Sequence, residues 1–251
     1  MLIKGVIFDL DNTIYDYNNA HKKAIEILFK YLKDNYNINE QINYKKFNHI
    51  VKNNLGHHTA SSHNKLLTFK LICEDLGILP NKLLEINKIY HNAFLDNMIL
   101  YDNIIEFLEL CKKNNIKICI LTDYILDFTY KKLEKLNVFN YIDHVITSEE
   151  IGFDKPNKLM FYSALEKLKL KNHEVIMIGD NFEKDIIGSN NINIYALWFA
   201  KNNIITEKYI EFNNYNYIIN LFIELEKLIN LKNIYTLEDL IKNDLLNIKN
   251  N

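Results

Sequence analysis

The amino-acid sequence predicts an α/β protein, built on a parallel sheet core covered by helices, with a small helical domain inserted after the first strand. From residue 100 onward, apolar runs of strand length alternate with helical patterns. Such alternation is typical of parallel sheets with helices on both faces. The segment 16–99 is longer than one crossover needs, and its apolar residues recur at helical spacing. We therefore expect a second, helical unit there.

The core elements follow one another in a regular order. The first strand, Val6–Phe8, is a short apolar run that ends in acidic residues. Further strands are predicted near 116–121, 143–147, 174–178 and 193–198, and helices near 102–114, 125–136, 157–169 and 182–190. Tyr217–Ile219 is predicted to be a last strand, followed by a helix over 220–230. Beyond it, Thr236–Asp239 has the pattern of a capping box that starts a short amphipathic helix.

Three amphipathic helices are predicted within the inserted segment. Their apolar stripes fall within 24–32, 66–72 and 83–94. His57, His58 and His63 lie in a predicted interhelical loop, for which a polar loop is the favoured interpretation and substrate contact or a metal site are alternatives. Tyr15 and Tyr17 are expected to pack, with substrate contact as the alternative.

Two carboxylates leave the first strand together. Asp9 and Asp11 are two residues apart, so their side chains point to the same side of an extended chain, about 6–7 Å from each other. Charged side chains are rarely buried unless they are paired or bind a metal. The two carboxylates could bind a divalent cation, or one could act as a nucleophile and the other as a general acid. The alternative is a strand that simply ends in solvent.

Three later segments carry polar residues at the ends of apolar strands or the start of a helix. Ile118–Leu121 is followed by Thr122 and Asp123; Lys155 and Pro156 precede a predicted helix; and Val175–Ile178 is followed by Gly179, Asp180 and, five residues after Asp180, Asp185. Ligands bind at the carboxyl ends of the strands in sheets of this class. We therefore expect these residues to meet Asp9 and Asp11 in one pocket.

These four elements, in this order, resemble the motifs of the haloacid dehalogenase-like hydrolase superfamily, which consists mostly of phosphatases. The resemblance covers roughly residues 2–230, and every element of the pattern is present. It implies a Rossmann-like core, formed by 1–15 and 100–230, and a helical cap domain, formed by 16–99, that closes over the site. Residues 231–251 would be a C-terminal helical extension.

The resemblance also implies catalytic roles. Asp9 would attack the phosphoryl group and form an aspartyl-phosphate, which water then cleaves. Asp11 would protonate the leaving oxygen and afterwards activate the water. Lys155 would neutralise the nucleophile and the transferring group. Because Pro156 disfavours helix at the preceding residue and can open the next helix, Lys155 is expected at a loop-to-helix junction.

Phosphate and metal binding are implied by the same motifs. Thr122 would hydrogen-bond a phosphoryl oxygen, with Lys155 and the backbone amides around Asn12 and Asp123 completing the phosphate site. Mg²⁺ would be held by Asp9, by the backbone carbonyl of Asp11 and by Asp180, since it prefers hard oxygen ligands. Asp185 would either bind the metal through water or hold Lys155.

The favoured function is that of a Mg²⁺-dependent phosphatase acting on a small phosphomonoester. The run 148–157 looks like the pyrimidine 5'-nucleotidase-like subgroup, which favours a nucleoside monophosphate. Phosphoglycolate, a sugar phosphate or a phosphomutase reaction are alternatives. A dehalogenase does not need the second acid, Asp11. A phospho-acceptor signalling module is the non-enzyme alternative, but the long insertion argues against it.

Composition sets the remaining expectations. The chain of 251 residues is 48% hydrophobic and 25% charged, with a net charge of −2 and no arginine. We expect no nucleic-acid partner, because the chain lacks a basic field. We expect no membrane partner, because no apolar run approaches the length of a span. Scattered cysteines and the lack of a signal-peptide pattern favour the cytoplasm. A monomer or homodimer is expected.

Overall fold

A six-stranded, wholly parallel sheet organises the chain. The computed structural model describes residues 3–36, 63–200, 209–216 and 218–220. The strands are β1 (Gly5–Phe8), β2 (Lys117–Thr122), β3 (His144–Thr147), β4 (Val175–Gly179), β5 (Tyr195–Phe199) and β6 (Tyr209–Phe212). Their order in the sheet is β3-β2-β1-β4-β5-β6. Strand β1 therefore lies between β2 and β4, and the α/β fold class predicted from the sequence is confirmed.

Helices surround this sheet and form the insertion after β1. They are α1 (Tyr17–Asn35), α2 (Lys65–Asp75), α3 (Leu83–Asp96), α4 (Ile104–Lys113), α5 (Leu126–Lys135), α6 (Ser148–Ile151), α7 (Lys158–Leu168) and α8 (Gly188–Asn190). Single turns of 3₁₀-helix occur at Pro80–Lys82, Phe139–Tyr141 and Asn172–Glu174, and Phe182–Ile187 is a π-helix that leads into α8. In the described part of the chain, no helix combines the length and the apolar character that a membrane span needs.

The predicted last strand at Tyr217–Ile219 is wrong. Strand β6 lies earlier, at Tyr209–Phe212, and residues 218–220 are helical. Short apolar runs do not distinguish a strand from a buried helical turn, and here the sheet edge is taken by the run that precedes Asn213. The predicted helices over 220–230, beyond its first residue, and after Thr236 lie outside the described residues.

Each face of the sheet packs into its own apolar cluster. Val6, Phe8 and Ile120 belong to the cluster that includes the helices of the insertion. Ile7 and Leu121, one residue away along the same strands, belong to the cluster formed with α7. This alternation follows from the period of two in a strand. Because both faces are covered, the central strands β1 and β4 are continuous apolar runs, and Asp9 and Asp180 follow directly where these two strands end.

The insertion leaves and rejoins the core at one place. Asp16 N–H donates to Ile99 O at 3.1 Å, and Tyr101 N–H donates to Ile14 O at 3.1 Å. Tyr15 and Leu100 form an antiparallel bridge between these two segments. The helices of the insertion are therefore joined to the core by two paired connections, a few residues from Asp11.

One buried histidine, His21, and one half-buried histidine, His91, make stability depend on pH. His21 accepts or donates a hydrogen bond with Tyr90 Oη at 2.7 Å, and the ring of His91 lies 4.1 Å from that of Phe128. Burial lowers the pKa of His21 to about 3 and the pKa of His91 to about 4. An unfolded chain binds these protons near pH 6.5, well before the folded chain does. Stability should therefore fall as the pH drops below about 7.

We expect the free energy of unfolding to decrease by about 1 kcal/mol for each histidine between about pH 7.5 and pH 5.5. Urea unfolding at both pH values measures this change. His91→Phe should remove its share of the pH dependence, since the ring shape stays and the titrating group goes. His173→Phe, at an exposed position, is the matched control and should leave the pH dependence unchanged. The same pH dependence in His91→Phe and in the unsubstituted chain would contradict this assignment.

Candidate active site

Asp9 lies directly after β1 and is almost fully buried, with 6% of its surface exposed. Its backbone N–H donates to Ile178 O at 2.9 Å, which continues the pairing of β1 with β4. Its Oδ1 accepts a hydrogen bond from Lys155 Nζ at 2.6 Å, and its Oδ2 accepts one from Thr13 Oγ1 at 2.8 Å. Both carboxylate oxygens are thus held in defined positions at the carboxyl end of the sheet.

Lys155 is buried between acids. Its Nζ contacts Asp9 and lies 2.8 Å from Asp185 Oδ1, and it donates to Leu121 O at 3.0 Å. Its backbone N–H donates to Asp123 Oδ1 at 2.8 Å, which holds the loop before α7 against the end of β2. Burial opposes the charged form, but Asp185 and Asp9 outweigh it and raise the pKa of Lys155 well above its usual value. The lysine is therefore a fixed positive charge.

Three carboxylates form an acidic cluster beside this lysine. One oxygen of each of Asp9, Asp180 and Asp185 lies within 4.8 Å of the others. Gly179 is required here, because a Cβ at this residue would lie 2.3 Å from Asp185 Oδ2. Asp185 Oδ2 also accepts from Asn181 N–H at 3.0 Å. The turn after β4 thus folds back so that both of its acids approach Asp9.

The charges of the acidic cluster fit a divalent cation. Burial raises the pKa of Asp9 well above its usual value, with Lys155 opposing the shift and Asp185 and Asp180 adding to it. Burial and Asp185 raise the pKa of Asp180 to about 7. These shifts arise from burial and from the mutual repulsion of the carboxylates, which Lys155 only partly offsets. Hard oxygen donors with an excess of negative charge are the environment that Mg²⁺ prefers.

The carboxylate of Asp11 points to a lysine that sequence reasoning did not identify. Lys132 Nζ, on α5, donates to Asp11 Oδ1 at 2.7 Å and to Oδ2 at 2.8 Å. Tyr15 Oη donates to Asp11 Oδ1 as well. The side chain of Asp11 is therefore outside the acidic cluster, so that only its backbone carbonyl remains for the metal role implied by the sequence.

Aromatic rings enclose Lys132, which is fully buried. Its Nζ lies 3.7 Å from the ring centroid of Tyr124 and 5.4 Å from that of Tyr17. Such cation–π contacts help to offset the loss of water around an ammonium. The sequence did contain a signal for this residue. Lys132 lies four residues after Phe128 and next to Leu133, on the apolar face of α5, where a lysine needs a buried partner.

The predicted phosphate-binding residues surround Asp9 on the remaining side. Thr122 ends β2 and is 2% exposed. Asp123 Oδ2 accepts from Lys184 Nζ at 2.7 Å, so its carboxylate is neutralised. Asn12 has a φ of 61°, a left-handed conformation that Asn tolerates better than most residues. Its Oδ1 accepts from Asn18 N–H at 3.1 Å, which links the turn after β1 to α1.

All eight site residues predicted from the sequence line one cavity of about 260 Å³. They are Asp9, Asp11, Asn12, Thr122, Asp123, Lys155, Asp180 and Asp185. The insertion contributes Tyr17, Asn18, His63 and Lys65 to the wall, and Lys184 also lines it. The cavity thus has a floor of acids and lysines and a second wall of helical origin.

Of the three histidines in the predicted polar loop, His63 reaches this cavity. Its Nε2 lies 2.9 Å from Asp154 Oδ2 and so connects the insertion to the loop before Lys155. His57 and His58 lie outside the described residues. Lys65, at the start of α2, was not identified from the sequence, because nothing local distinguishes it from a solvated lysine. Burial and the nearby Lys132 lower the pKa of Lys65 to about 8.

Comparison with protein families and known proteins gave consistent matches. The family model described as haloacid dehalogenase-like hydrolase matches residues 6–199. The chain is 34% identical, over 203 residues, to ribulose-1,5-bisphosphate 5-phosphatase of Halopiger xanaduensis, covering 78% of this chain and 84% of that protein. It is 31% identical to glyceraldehyde 3-phosphate phosphatase of Methanocaldococcus jannaschii, covering 74% and 79% of the two chains.

Two further similarities bear on subgroup and fold. Pyrimidine 5'-nucleotidase YjjG of Escherichia coli is 31% identical over a shorter stretch, 52% of this chain and 56% of that protein. Among solved structures, 2-haloacid dehalogenase from Pseudomonas syringae superposes with a TM-score of 0.71 at 19% identity, covering 89% of this chain and all of that one. At that identity the superposition supports the fold alone.

Proposed function

The chain belongs to the haloacid dehalogenase-like hydrolase family and is a phosphatase, and from this premise we propose that it hydrolyses small sugar phosphates with the help of Mg²⁺. The observation that carries the proposal is the buried Asp9, with Lys155 on one oxygen and Thr13 on the other, beside a second, separately held acid. Catalysis is assigned to a core of 1–15 and 100–230. Substrate contact is assigned to a cap of 16–99, and the expected C-terminal extension, 231–251, lies outside the described residues.

Asp9 is the proposed nucleophile. One of its oxygens attacks phosphorus, a new P–O bond forms, and the bond between phosphorus and the sugar oxygen breaks. Lys155 and Thr13 aim the carboxylate, while Lys155 also offsets negative charge on the transferring group. Water then attacks the aspartyl-phosphate, which releases inorganic phosphate and restores Asp9.

Asp11 is the proposed general acid and base. It gives its proton to the leaving sugar oxygen in the first step and takes one from the attacking water in the second. Lys132 and Tyr15 hold both of its oxygens, so the carboxylate is kept beside the nucleophile rather than free to rotate. Lys132 is therefore a positioning residue for Asp11.

The acidic cluster of Asp9, Asp180 and Asp185 is the proposed Mg²⁺ site, together with the backbone carbonyl of Asp11. When bound, the cation supplies positive charge that lessens the repulsion between these carboxylates and an anionic phosphate ester. Thr122, Lys155 and the turn amides near Asn12 and Asp123 are the proposed phosphate ligands. They lie at the end of β2 and in the turns beside Asp9, where phosphoryl oxygens would meet them.

The size and the walls of the cavity favour a sugar phosphate over a nucleotide. A volume of about 260 Å³ is at the lower limit of ligand pockets, which usually measure about 300–1,000 Å³. Of the two tyrosines in the wall, Tyr17 stacks on His21, and a face of Tyr124 is covered by Lys132. Neither ring is well placed to stack on a base. Two relatives named for sugar-phosphate substrates also support this alternative more strongly than the nucleoside monophosphate favoured by run 148–157.

Phosphate release from a panel of esters tests the substrate class. We expect kcat/KM for glyceraldehyde 3-phosphate or ribulose 1,5-bisphosphate to exceed that for uridine or cytidine monophosphate by at least about tenfold, which corresponds to about 1.4 kcal/mol. Phosphoglycolate completes the panel as a small ester without a sugar. Equal or faster hydrolysis of the nucleotides would contradict the sugar-phosphate proposal and support a nucleotidase instead.

A further inference from the structure

Lys65 is the first residue of α2 and faces the active-site cavity from the insertion. Asn64 caps the helix, since its Oδ1 accepts from Leu66 N–H at 3.0 Å and from Leu67 N–H at 3.3 Å. This cap fixes the first turn of α2 and therefore the origin of the Lys65 side chain. Lys65 lines the same cavity as Asp9 and Asp11.

Among the described residues, Lys65 differs from the other lysines around the cavity in having no hydrogen bond or ion pair. Lys155 is held by Asp9 and Asp185, and Lys184 is held by Asp123. Lys132, behind Asp11, is held by that carboxylate. Lys65 is half-buried, and an ammonium that loses part of its water without gaining a counter-charge is destabilised. Among the described residues, Lys65 is therefore a positive charge open to an anionic partner that enters the cavity.

The position of Lys65 relates it to the leaving group. Lys65 lies with Tyr17, Asn18 and His63 on the wall of the cavity that the insertion contributes. The influence of Lys132 and Asp11 on the pKa of Lys65 agrees with a position near Asp11. Asp11 is the residue assigned to protonate the leaving oxygen, whereas Thr122 and Lys155 are assigned to bind the phosphoryl group. Lys65 thus lies on the side of the cavity where the leaving group, and not the transferred phosphate, would be bound.

We propose that Lys65 binds a second anionic group, a phosphate or a carboxylate carried by the leaving group, and so selects sugar phosphates and sugar acids that bear two anions. The inference rests on the proposed function, since it assumes that a phosphoester occupies the cavity with phosphorus at Asp9. An uncharged sugar would leave Lys65 without a counter-charge. A second anion would pair with it in a partly desolvated site, where charge-assisted hydrogen bonds are stronger than in water.

Matched pairs of substrates test this role. 3-Phosphoglycerate and glycerol 3-phosphate differ mainly by a carboxylate in place of an alcohol, and ribulose 1,5-bisphosphate and ribulose 5-phosphate differ by one phosphate. For Lys65→Met we expect kcat/KM of the doubly anionic member of the favoured pair to fall by about 10- to 100-fold, and that of the singly phosphorylated member to change less than about threefold. The pair that responds identifies the second anion as carboxylate or phosphate.

Two further variants separate recognition from structure. Lys65→Arg keeps the charge and should retain most of the discrimination that Lys65→Met loses. Lys70→Met, on the exposed part of the same helix where Lys70 pairs with Glu74 at 2.5 Å, should leave both members of each pair within about threefold of the unsubstituted chain.

The outcomes distinguish this inference from the proposed function. Equal losses on both members of each pair in Lys65→Met, or no loss on either, would overturn the role of Lys65 and leave the phosphatase assignment intact. Hydrolysis of p-nitrophenyl phosphate without hydrolysis of any sugar phosphate or sugar-acid phosphate would overturn the proposed substrate class, and this inference with it.

Discussion

Asp9→Asn should abolish phosphate release while the protein stays folded. The amide keeps the shape of the side chain but lacks the charge needed to attack phosphorus, and removing a nucleophile of this kind costs at least about 10⁴-fold in kcat. Lys155 keeps its ion pair with Asp185 at 2.8 Å in this variant, so the buried ammonium still has a counter-charge. For that reason we expect the thermal midpoint to change by only a few degrees.

The measurement is kcat with p-nitrophenyl phosphate and with the best sugar phosphate, on protein whose mass verifies the substitution. Asp96→Asn is the matched control, because Asp96 is exposed at the end of α3 and, among the described residues, pairs only with Lys135. The control should keep its full rate. A rate of one tenth of the unsubstituted value in Asp9→Asn would remove Asp9 from the role of nucleophile.

Removal of divalent metal should abolish activity, and Mg²⁺ should restore it. Asp9, Asp180 and Asp185 bring three carboxylates within 4.8 Å, and a dianionic substrate adds further negative charge. Without a cation, Lys155 is the only lysine among the described residues that forms an ion pair with this cluster, and it pairs with Asp9 and Asp185. Mg²⁺ binds about six ligands in near-octahedral geometry, which leaves one oxygen of Asp9 free for attack. Ca²⁺ accepts both oxygens of a carboxylate and should inhibit.

Phosphate release after EDTA treatment and graded return of each ion measures this requirement. Asp180→Asn should raise the Mg²⁺ concentration needed for half-maximal rate and lower kcat. Asp143→Asn serves as the control, because Asp143 precedes β3, at the end of the sheet opposite the active site, and accepts a hydrogen bond from Ile118 N–H. Thermal unfolding provides a measurement that does not depend on activity, since an ion that binds the folded state raises the midpoint of unfolding. Full activity after EDTA, or equal rescue by Ca²⁺, would speak against the site.

The order of strands and helices in the core could be predicted from the sequence, because it depends on local patterns of apolar residues. Strands buried on both faces must be continuously apolar, so polar residues stand out where β1, β2 and β4 end. Parallel strands then bring those ends to one edge. This is why Asp9, Thr122 and Asp180 could be expected in one pocket, although they are far apart in the chain. The long helical insertion could be predicted for the same reason, because its apolar residues recur at helical spacing instead of forming short strand-length runs.

Other features were decided by tertiary packing. Tyr217–Ile219 is as apolar as a strand, yet β6 formed at Tyr209–Phe212 and left the later residues to a helix. Tyr215 fixes that choice by packing on Phe212 and by donating from its Oη to Thr13 O at 2.6 Å. The hydrogen bond to Thr13 joins residues 202 positions apart in the chain, which no local pattern relates, so the sequence by itself did not distinguish the two edges.

The sequence alone determined which acids, threonine and lysine stand at the ends of the parallel strands, because local apolar periodicity sets where each strand stops. It did not determine what those groups contact. Lys65 has the same local appearance as a solvated lysine, and the position of Lys132 on the apolar face of α5 predicts burial but not its partner. Only the packing of α5 and α2 places them beside Asp11 and the cavity. Pairing of charges across the fold depends on three-dimensional distance and burial, which the tertiary structure alone decides.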